Sequence, residues 1–214
     1  MALMKLVGAP VKRVEDPRFL RGQAQYVDDI RLLGTLHVAF LRSPHAHARI
    51  VSVDTSAALR LPGVRRVFTG PEVDAALKSM GLPFREEVFP KSVFKQCKWP
   101  CMAVGKVRYV GEPVAAVIAE SRYIAEDGAE LVEVEYEMLD PVVDPEAGLQ
   151  PGAPLVHEEF GDNIVMHFGA AAGDVDGAFG RAAFVLRGRF HTNRHCAHPM
   201  EGRATLAKPE PTIA

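Results

Sequence analysis

Hydrophobic and polar positions alternate with a period of two in several short segments, and this pattern predicts β-strands. The first strand is predicted at residues 35–41, where Leu36, Val38 and Phe40 alternate with small or polar residues. Segment 114–119 is apolar at every position, which predicts a strand buried on both faces. The other predicted strands are 49–54, 64–68, 106–110, 132–137, 164–168, 183–194 and 203–207.

Short helices are predicted between these strands. Asp54, Thr55 or Ser56 can cap a helix that runs through Leu59, and a second helix follows Thr69 as far as residue 79. Ser121 is a predicted N-cap for a helix over 122–131, and 175–179 is a predicted helical turn. Segments 7–31 and 81–102 lack periodicity and are predicted as loops. Helices and strands in quick succession indicate an α+β fold.

Composition excludes several classes of protein. The 214 residues are 48% hydrophobic and 24% charged, with a formal net charge of −2. That balance gives no basic stripe for nucleic acid and no polybasic patch for a membrane surface. The longest apolar run is far too short for a membrane span, and three cysteines do not suggest a disulfide scaffold. We therefore expect a soluble, cytoplasmic protein of one or two domains, with a proline-rich linker at 141–154.

Two groups of histidine and cysteine have the residue types of zinc ligands. His191, His195, Cys196 and His198 are close in sequence, but their alternative interpretation is a polar strand end that contacts another domain. Cys97 and Cys101 are spaced C-x₃-C, whereas zinc ribbons and redox motifs use C-x₂-C. We favour the ordinary interpretation of both groups, a strand end and a surface loop.

The other candidate catalytic or binding residues also have an ordinary structural interpretation. His45 and His47 share one face if the chain is extended, and they either bind a metal or substrate or form a polar turn between strands. The glutamates between Glu126 and Glu137 form an acidic face, which is usually solvated surface. Phosphate-cradling glycine loops and the nucleophile elbow are absent from the sequence. We therefore assign no catalytic, cofactor-binding or metal-binding residue.

Several stretches together resemble the large subunits of molybdenum hydroxylases, the family of xanthine dehydrogenase, aldehyde oxidase and aerobic carbon monoxide dehydrogenase. They are VEDPRFLRG at 14–22, LRSPHAHARI at 41–50, LPGV at 61–64, VGEPVAAV at 110–117 and PMEGR at 199–203. Their order and spacing are also similar to the family's, and the first and last favour the carbon monoxide dehydrogenase-like branch.

The resemblance implies an organisation for the whole chain. It implies an N-terminal extension at 1–21, an α/β hammerhead domain at 22–140, the linker at 141–154, and at 155–214 the first strands of an incomplete molybdopterin-binding domain. Family large subunits are several times longer, and their pterin loops and glutamate base lie beyond these residues. Glu112 in the GEP motif is either a turn residue, which we prefer, or lines the approach to the site in a complete subunit.

The resemblance also implies a function and partners. The complete enzyme would oxidise an aldehyde, an N-heterocycle or carbon monoxide with water as the oxygen source. The molybdenum cofactor would lie in the complete large subunit, and 2Fe-2S clusters and FAD would lie on small and medium partner subunits. This chain would act as scaffold and interface, inactive alone, with an exposed apolar patch in its second domain. The alternatives are a non-catalytic accessory module that retains only the hammerhead and, third, a zinc-binding domain.

Overall fold

The structure is a computed structural model, and it describes residues 8–77, 80–81, 93–95, 98–167, 169–193, 195–199 and 202–209. The chain divides into two compact units, one of Leu36–Arg187 and one of Met1–Thr35 with Gly188–Ala214. The domain boundaries expected from the sequence stay predictions. No helix among the described residues is long and apolar enough to cross a membrane.

Unit Leu36–Arg187 contains all the strands of the described residues. They are β1 (His37–Arg42), β2 (Ala48–Asp54), β3 (Val64–Thr69), β4 (Met80–Gly81), β5 (Val93–Phe94), β6 (Lys98–Trp99), β7 (Lys106–Val107), β8 (Pro113–Ala119), β9 (Glu133–Met138) and β10 (Met166–His167). The helices in this unit are α2 (Ser56–Arg60), α3 (Gly70–Leu77), α4 (Arg122–Glu130) and α5 (Val175–Arg181), whereas α1 (Asp16–Leu20) lies in the other unit. The predicted α+β class is confirmed.

Two three-stranded antiparallel sheets make up the body of this unit. We call them sheet A, with strand order β1-β8-β3, and sheet B, with order β7-β2-β9. Two further pairs, β4 with β6 and β5 with β10, join short segments. Because β7 and β8 are consecutive in sequence but belong to different sheets, the turn between them passes the chain from sheet B to sheet A.

Helices α2 and α4 cover one face of sheet A. The alternating residues of β8 that face these helices, Ala115 and Val117, are fully buried, and they pack with Ala58 and Ala129 from the two helices. Gly128 allows the close approach of α4, because a Cβ there would lie 2.9 Å from Val117 Cγ1. The predicted N-cap is confirmed, since Ser121 Oγ accepts a hydrogen bond from Ile124 N–H at 3.2 Å.

A second core lies on the other side of β8, between the sheets. It contains Ala48, Ala103, Val107 and Val114, with Ile50 and Tyr136 packed against it. Residue 114 therefore faces away from α4, as expected for a strand whose successive side chains alternate between faces. The prediction that residues 114–119 are apolar on both sides of the strand agrees with these two clusters.

The predictions for several local segments were wrong. The strand predicted at 106–110 ends at Val107, because Arg108 N–H donates to the Glu112 carboxylate at 2.5 Å instead of to a neighbouring strand. The loop predicted at 7–31 contains α1, where Pro17 lies in the first turn and interrupts no helical hydrogen bond. The described parts of the predicted loop 81–102 include strands β5 and β6; the rest lies outside the described residues.

A further correction concerns the C-terminal strands. The described residues within 183–194 and 203–207 form no strand, and nearly all their side chains are exposed. A strand needs hydrogen bonds to a neighbouring strand, and alternation in the sequence cannot supply that partner. In the same region the predicted strand 164–168 is reduced to β10, and residue 168 lies outside the described residues.

Candidate functional site

The two histidines of the 41–50 motif lie in the turn between β1 and β2 and have separate partners. His47 is only 5% exposed, and its Nδ1–H donates to the Asp140 carbonyl at 2.7 Å. Its Nε2 is buried and has no hydrogen-bond partner among the described residues. His45 packs edge-on against Tyr136 with ring centroids 4.8 Å apart. These contacts hold the turn against β9, as expected for the structural interpretation of the pair.

The GEP motif forms a turn that is fixed to the same region. Ser43 N–H donates to the Glu112 carbonyl at 2.9 Å, and Gly111 N–H donates to the Ser43 carbonyl at 2.8 Å. The Arg42 guanidinium donates to the Gly111 carbonyl, also at 2.8 Å. The Glu112 side chain is buried, and its carboxylate accepts from Arg108 N–H. Glu112 is thus a turn residue, the interpretation preferred from the sequence.

Burial affects two tyrosines of this region, Tyr109 at the start of the turn and Tyr136 in β9. Desolvation raises the pKa of Tyr109 above its ordinary value, and the nearby charge of Glu112 raises it further. Burial also raises the pKa of Tyr136, opposed by a hydrogen bond from Ser43. Both phenols are therefore neutral over the physiological range, which suits packing and hydrogen bonding rather than proton transfer.

An ion-paired cluster that was not predicted from the sequence joins sheet B to residues 157–162. Lys106 is buried, and its Nζ donates to Glu158 Oε2 at 2.6 Å. This hydrogen bond lowers the pKa of Glu158 to about 2, with a smaller contribution from the charge of Arg49. Lys95 Nζ contacts the Asp162 carboxylate at 2.5 Å in the same way. The sequence signal for this cluster was a lysine at a buried strand position, directly before the core residue Val107.

The proposed zinc ligands are not brought together. His191, His195, Cys196 and His198 are all exposed, and so is Cys101; Cys97 lies outside the described residues. No group of three or more His, Cys, Asp or Glu side chains could hold a metal within the described ranges. The acidic face is solvated, with its glutamates exposed at positions 126, 130, 133, 135 and 137.

The described residues also do not fit a molybdopterin cofactor as they stand. Residues 182–193 and 202–209 present exposed backbone and side chains rather than an enclosed cradle. The orphaned buried polar atom, His47 Nε2, lies in the turn between β1 and β2 and is only a single group. A cofactor pocket needs several convergent polar groups in a concave site, so no reaction step is assigned to these residues.

Two apolar surfaces are exposed among the described residues. Phe184 and Leu186 are 89% and 95% exposed, and Val185 between them is also exposed. The second surface is the face of sheet A that points away from α2 and α4; we call it the open face and define it by Val38, Phe40, Phe68 and Ile118. The first two are 52% and 47% exposed, and the other two are partly exposed.

This arrangement of two small sheets, short helices and turns defines an α+β domain of the hammerhead class. The family model described as "Aldehyde oxidase and xanthine dehydrogenase, a/b hammerhead domain" matches residues 21–140, and that of the "Molybdopterin cofactor-binding domain" matches 156–213. The chain therefore belongs to the aldehyde oxidase and xanthine dehydrogenase family, and the resemblance found in the sequence is confirmed.

Relatives and solved structures agree with this assignment. The nicotine 6-hydroxylase large subunit of Paenarthrobacter nicotinovorans is 41% identical over 94% of this chain and 24% of its own length. The carbon monoxide dehydrogenase large chain of Afipia carboxidovorans is 38% identical over 91% of this chain and 24% of its own length. Quinoline 2-oxidoreductase from Pseudomonas putida 86 matches 83% of this chain and 22% of its own, with 40% identity and a TM-score of 0.71. The chain spans about a quarter of the length of these relatives.

Proposed function

We propose that this chain forms the hammerhead and the beginning of the molybdopterin-binding domain in the large subunit of a molybdenum-dependent hydroxylase. Its role is scaffold and interface, and it carries no complete active site of its own. The family match over both segments supports this. The boundaries that go with the proposal are 22–140 for the hammerhead, 141–154 for the linker and 155–214 for the incomplete second domain.

The complete enzyme would oxidise an aldehyde, an N-heterocycle or carbon monoxide in the cytoplasm. The bound molybdenum cofactor supplies the hydroxylation chemistry with water as the oxygen source, and the protein supplies orientation and electrostatics. Electrons would leave through 2Fe-2S and FAD groups on small and medium subunits. The residues of this chain would hold the hammerhead turn and sheets in place beside that site.

The exposed segment at residues 184–186 is the observation that carries the proposal. Three consecutive apolar side chains are exposed to solvent. Exposing them costs about 25 cal/mol for each Å² of apolar surface, so such a segment favours a covering partner. The remainder of the large subunit would provide this partner.

Elemental analysis tests the proposal. The tagged chain is purified alone and from its native host, and molybdenum, iron and zinc are measured per chain. We expect molybdenum and iron only in the native preparation. The double substitution Phe184→Ser with Leu186→Ser should lower the recovered molybdenum at least tenfold, whereas Leu77→Ser, at another exposed leucine, should leave it unchanged.

Other outcomes of the metal measurements contradict the proposal. A compact unit with two apolar cores, Leu36–Arg187, favours the accessory-module alternative, in which the hammerhead folds and acts alone. No metal in either preparation would support that alternative. Stoichiometric zinc in both would instead support the zinc-binding alternative with His191, His195, Cys196 or His198 as ligands.

A further inference from the structure

Residues 156–167, which we call the strap, are attached to sheet B by polar contacts. Lys106 Nζ in β7 donates to Glu158 Oε2 at 2.6 Å, and the Arg49 guanidinium in β2 lies 3.8 Å from the other oxygen of the same carboxylate. Arg108 Nε donates to the first carbonyl of the strap at 3.3 Å. The beginning of the strap is thus held by three cationic side chains on or beside β2 and β7.

The other end of the strap is attached to β5 and the residue after it. Lys95 Nζ donates to the Phe160 carbonyl at 3.1 Å and forms an ion pair with Asp162 at 2.5 Å. The backbone N–H of Lys95 donates to the Val165 carbonyl at 2.8 Å, and β5 pairs with β10 over two residues. One lysine therefore holds each end of the strap, Lys106 at its beginning and Lys95 farther along.

Hydrogen bonds within the strap and to the residues before it keep its shape. Asn163 Oδ1 accepts from Val156 N–H at 3.0 Å. Asn163 Nδ2 donates to the Pro154 and Gly148 carbonyls at 2.8 and 2.9 Å. These three bonds do not involve sheet B, so the strap can leave the sheet without losing them.

The strap belongs to neither apolar core. The described residues of both cores lie at or before position 136, and every residue of the strap is exposed or only partly buried. Regions with few buried apolar contacts open at a lower free energy than the whole domain unfolds. The ion pair of Lys106 with Glu158 adds little to the attachment, because removing charges from water offsets much of their attraction. Opening would return both charges to water.

We propose that the strap is a detachable element, which leaves sheet B as one piece while sheets A and B stay folded. The two lysines determine how often it opens. The match to the molybdopterin-binding model begins at residue 156, so the strap is also the beginning of that segment. Opening therefore frees the start of the second family segment from the sheets of the first. This conformational device goes beyond the proposed function and does not depend on it.

Hydrogen–deuterium exchange of the full chain, resolved by peptide, tests whether the strap opens independently. We expect the hydrogen-bonded amides of the strap to exchange about tenfold faster than those of β8, or more, because local opening requires less free energy than global unfolding. In about 1 M urea, exchange in β8 should rise about fivefold or more, since global unfolding exposes a large surface, whereas exchange in the strap should rise less than about twofold.

Substitution of the two lysines tests what holds the strap closed. In the double variant Lys95→Met with Lys106→Met, strap exchange should rise at least tenfold while β8 remains the slower region, because methionine keeps a long side chain and leaves no buried charge. Arg65→Met is the matched control, since it breaks an exposed ion pair with Glu120 on sheet A and should leave strap exchange unchanged. Glu158→Gln alters only the half-exposed side of the contact and should raise strap exchange about fivefold.

Two results would overturn the proposal. If strap and β8 amides exchange at the same rate and rise together in urea, the strap opens only when the whole unit unfolds. If strap exchange is the same in the wild-type chain, the lysine variant and Glu158→Gln, these contacts do not hold it closed. Both measurements use the free chain, so they can fail while the recovery of molybdenum still supports the proposed function, and the reverse also holds.

Discussion

Sheets A and B are both three-stranded and antiparallel, but the side chains on their outer faces differ in polarity. Sheet B presents cross-strand polar pairs to solvent, with Arg49 opposite Glu137 and Ser52 opposite Glu135. Sheet A presents Val38 and Phe40 in the corresponding positions of its edge strand. Two apolar residues of sheet B are also exposed: Val51, at an irregularity of the β2–β9 register, and Met138, at the end of β9. The outer face of sheet B is therefore polar, and that of sheet A is apolar.

The polar outer face of sheet B contributes little to stability. Its ion pair between Arg49 and Glu137 has a separation of 3.8 Å, and both side chains are more than half exposed. Exposed pairs of this kind contribute about 0–1 kcal/mol. The face serves to keep β2 and β9 soluble, and the stability of both sheets comes from the cores on their inner sides.

The largest predicted loss of stability comes from a substitution at the contact between the two sheets. Gly70 follows β3 of sheet A, and a Cβ at this position would lie 1.9 Å from the Ala103 carbonyl oxygen, next to the second core. Because the atom in the way is backbone, the chain must move to accept a side chain. We expect Gly70→Ala to lower the free energy of unfolding by about 3 kcal/mol, in the upper part of the range for overpacking.

Urea unfolding followed by circular dichroism measures this change. Gly105→Ala is a useful control, since its Cβ would meet no atom within 4 Å and only its positive φ of 68° causes strain. If Gly70→Ala is no more destabilising than Gly105→Ala, the close packing at Gly70 does not exclude a side chain, and the prediction is wrong.

The next prediction compares the two faces of sheet A. Val117 is completely buried under α4, whereas Val38 on the neighbouring strand is half exposed on the open face. Val117→Ala should cost about 2 kcal/mol, from lost burial and the cavity that remains. Val38→Ala should cost less than about 1 kcal/mol in the isolated chain. Equal costs in urea unfolding would mean that the open face is buried in solution and contradict its exposure.

Local sequence patterns predicted many of the helices and strands of the two sheets. Ser121 was identified as an N-cap because the cap is a local interaction with Ile124, three residues later. Period-two alternation likewise identified β1 and β9, and an unbroken apolar run identified β8. In β1, however, the alternating apolar residues Val38 and Phe40 are exposed, and Ala39 and Leu41 pack against the core. Alternation cannot show which of two apolar faces is covered, because it contains no information about the neighbour. The open face of sheet A was therefore visible in the sequence only as apolar residues of predicted strands, at positions 38, 40, 68 and 118.

Contacts between distant residues could not be predicted in this way. Lys106 and Glu158 are 52 residues apart, and nothing in their spacing brings them together. The prediction of a strand at 183–194 failed for a related reason: a strand depends on pairing with a distant segment, and the described residues of this stretch form no such pair. Interpreting the GEP motif as a turn succeeded because Gly111 has a φ of 88°, a conformation that glycine favours. Local chemistry is thus predictable, and its long-range partners are not.

A third prediction concerns the buried side of sheet B, where the ion pair of Lys106 with Glu158 joins β7 to the segment after residue 154. The folded-state pKa of Glu158 is about 2, below its ordinary 4.5. A depressed carboxylate pKa stabilises the folded state at pH values above 4.5, and this stabilisation is lost as the pH falls toward 2. Because the Glu158 side chain is half exposed, solvent screening limits the contribution to about 1 kcal/mol.

Glu158→Gln should therefore lower the free energy of unfolding by about 1 kcal/mol at pH 7, with a smaller difference at pH 3. Urea unfolding at both pH values measures the effect, and Glu126→Gln on the exposed side of α4 is the control. A difference that stays constant between pH 7 and pH 3 would show that the carboxylate charge is not what holds this segment to sheet B.

The smallest predicted effect on stability gives the sharpest test of the two outer faces. Val38→Thr on sheet A and Glu135→Gln on sheet B each replace an exposed side chain with one of similar shape, so both should change the free energy of unfolding by less than about 0.5 kcal/mol. Their solution behaviour should differ, because only the first removes apolar surface from the open face. We expect Val38→Thr to reduce the fluorescence of the apolar dye anilinonaphthalene sulfonate and to raise solubility, and Glu135→Gln to do neither. If both variants bind the dye as the wild-type chain does, the dye reports another surface, such as residues 184–186, and the open face of sheet A is not an exposed apolar surface in solution.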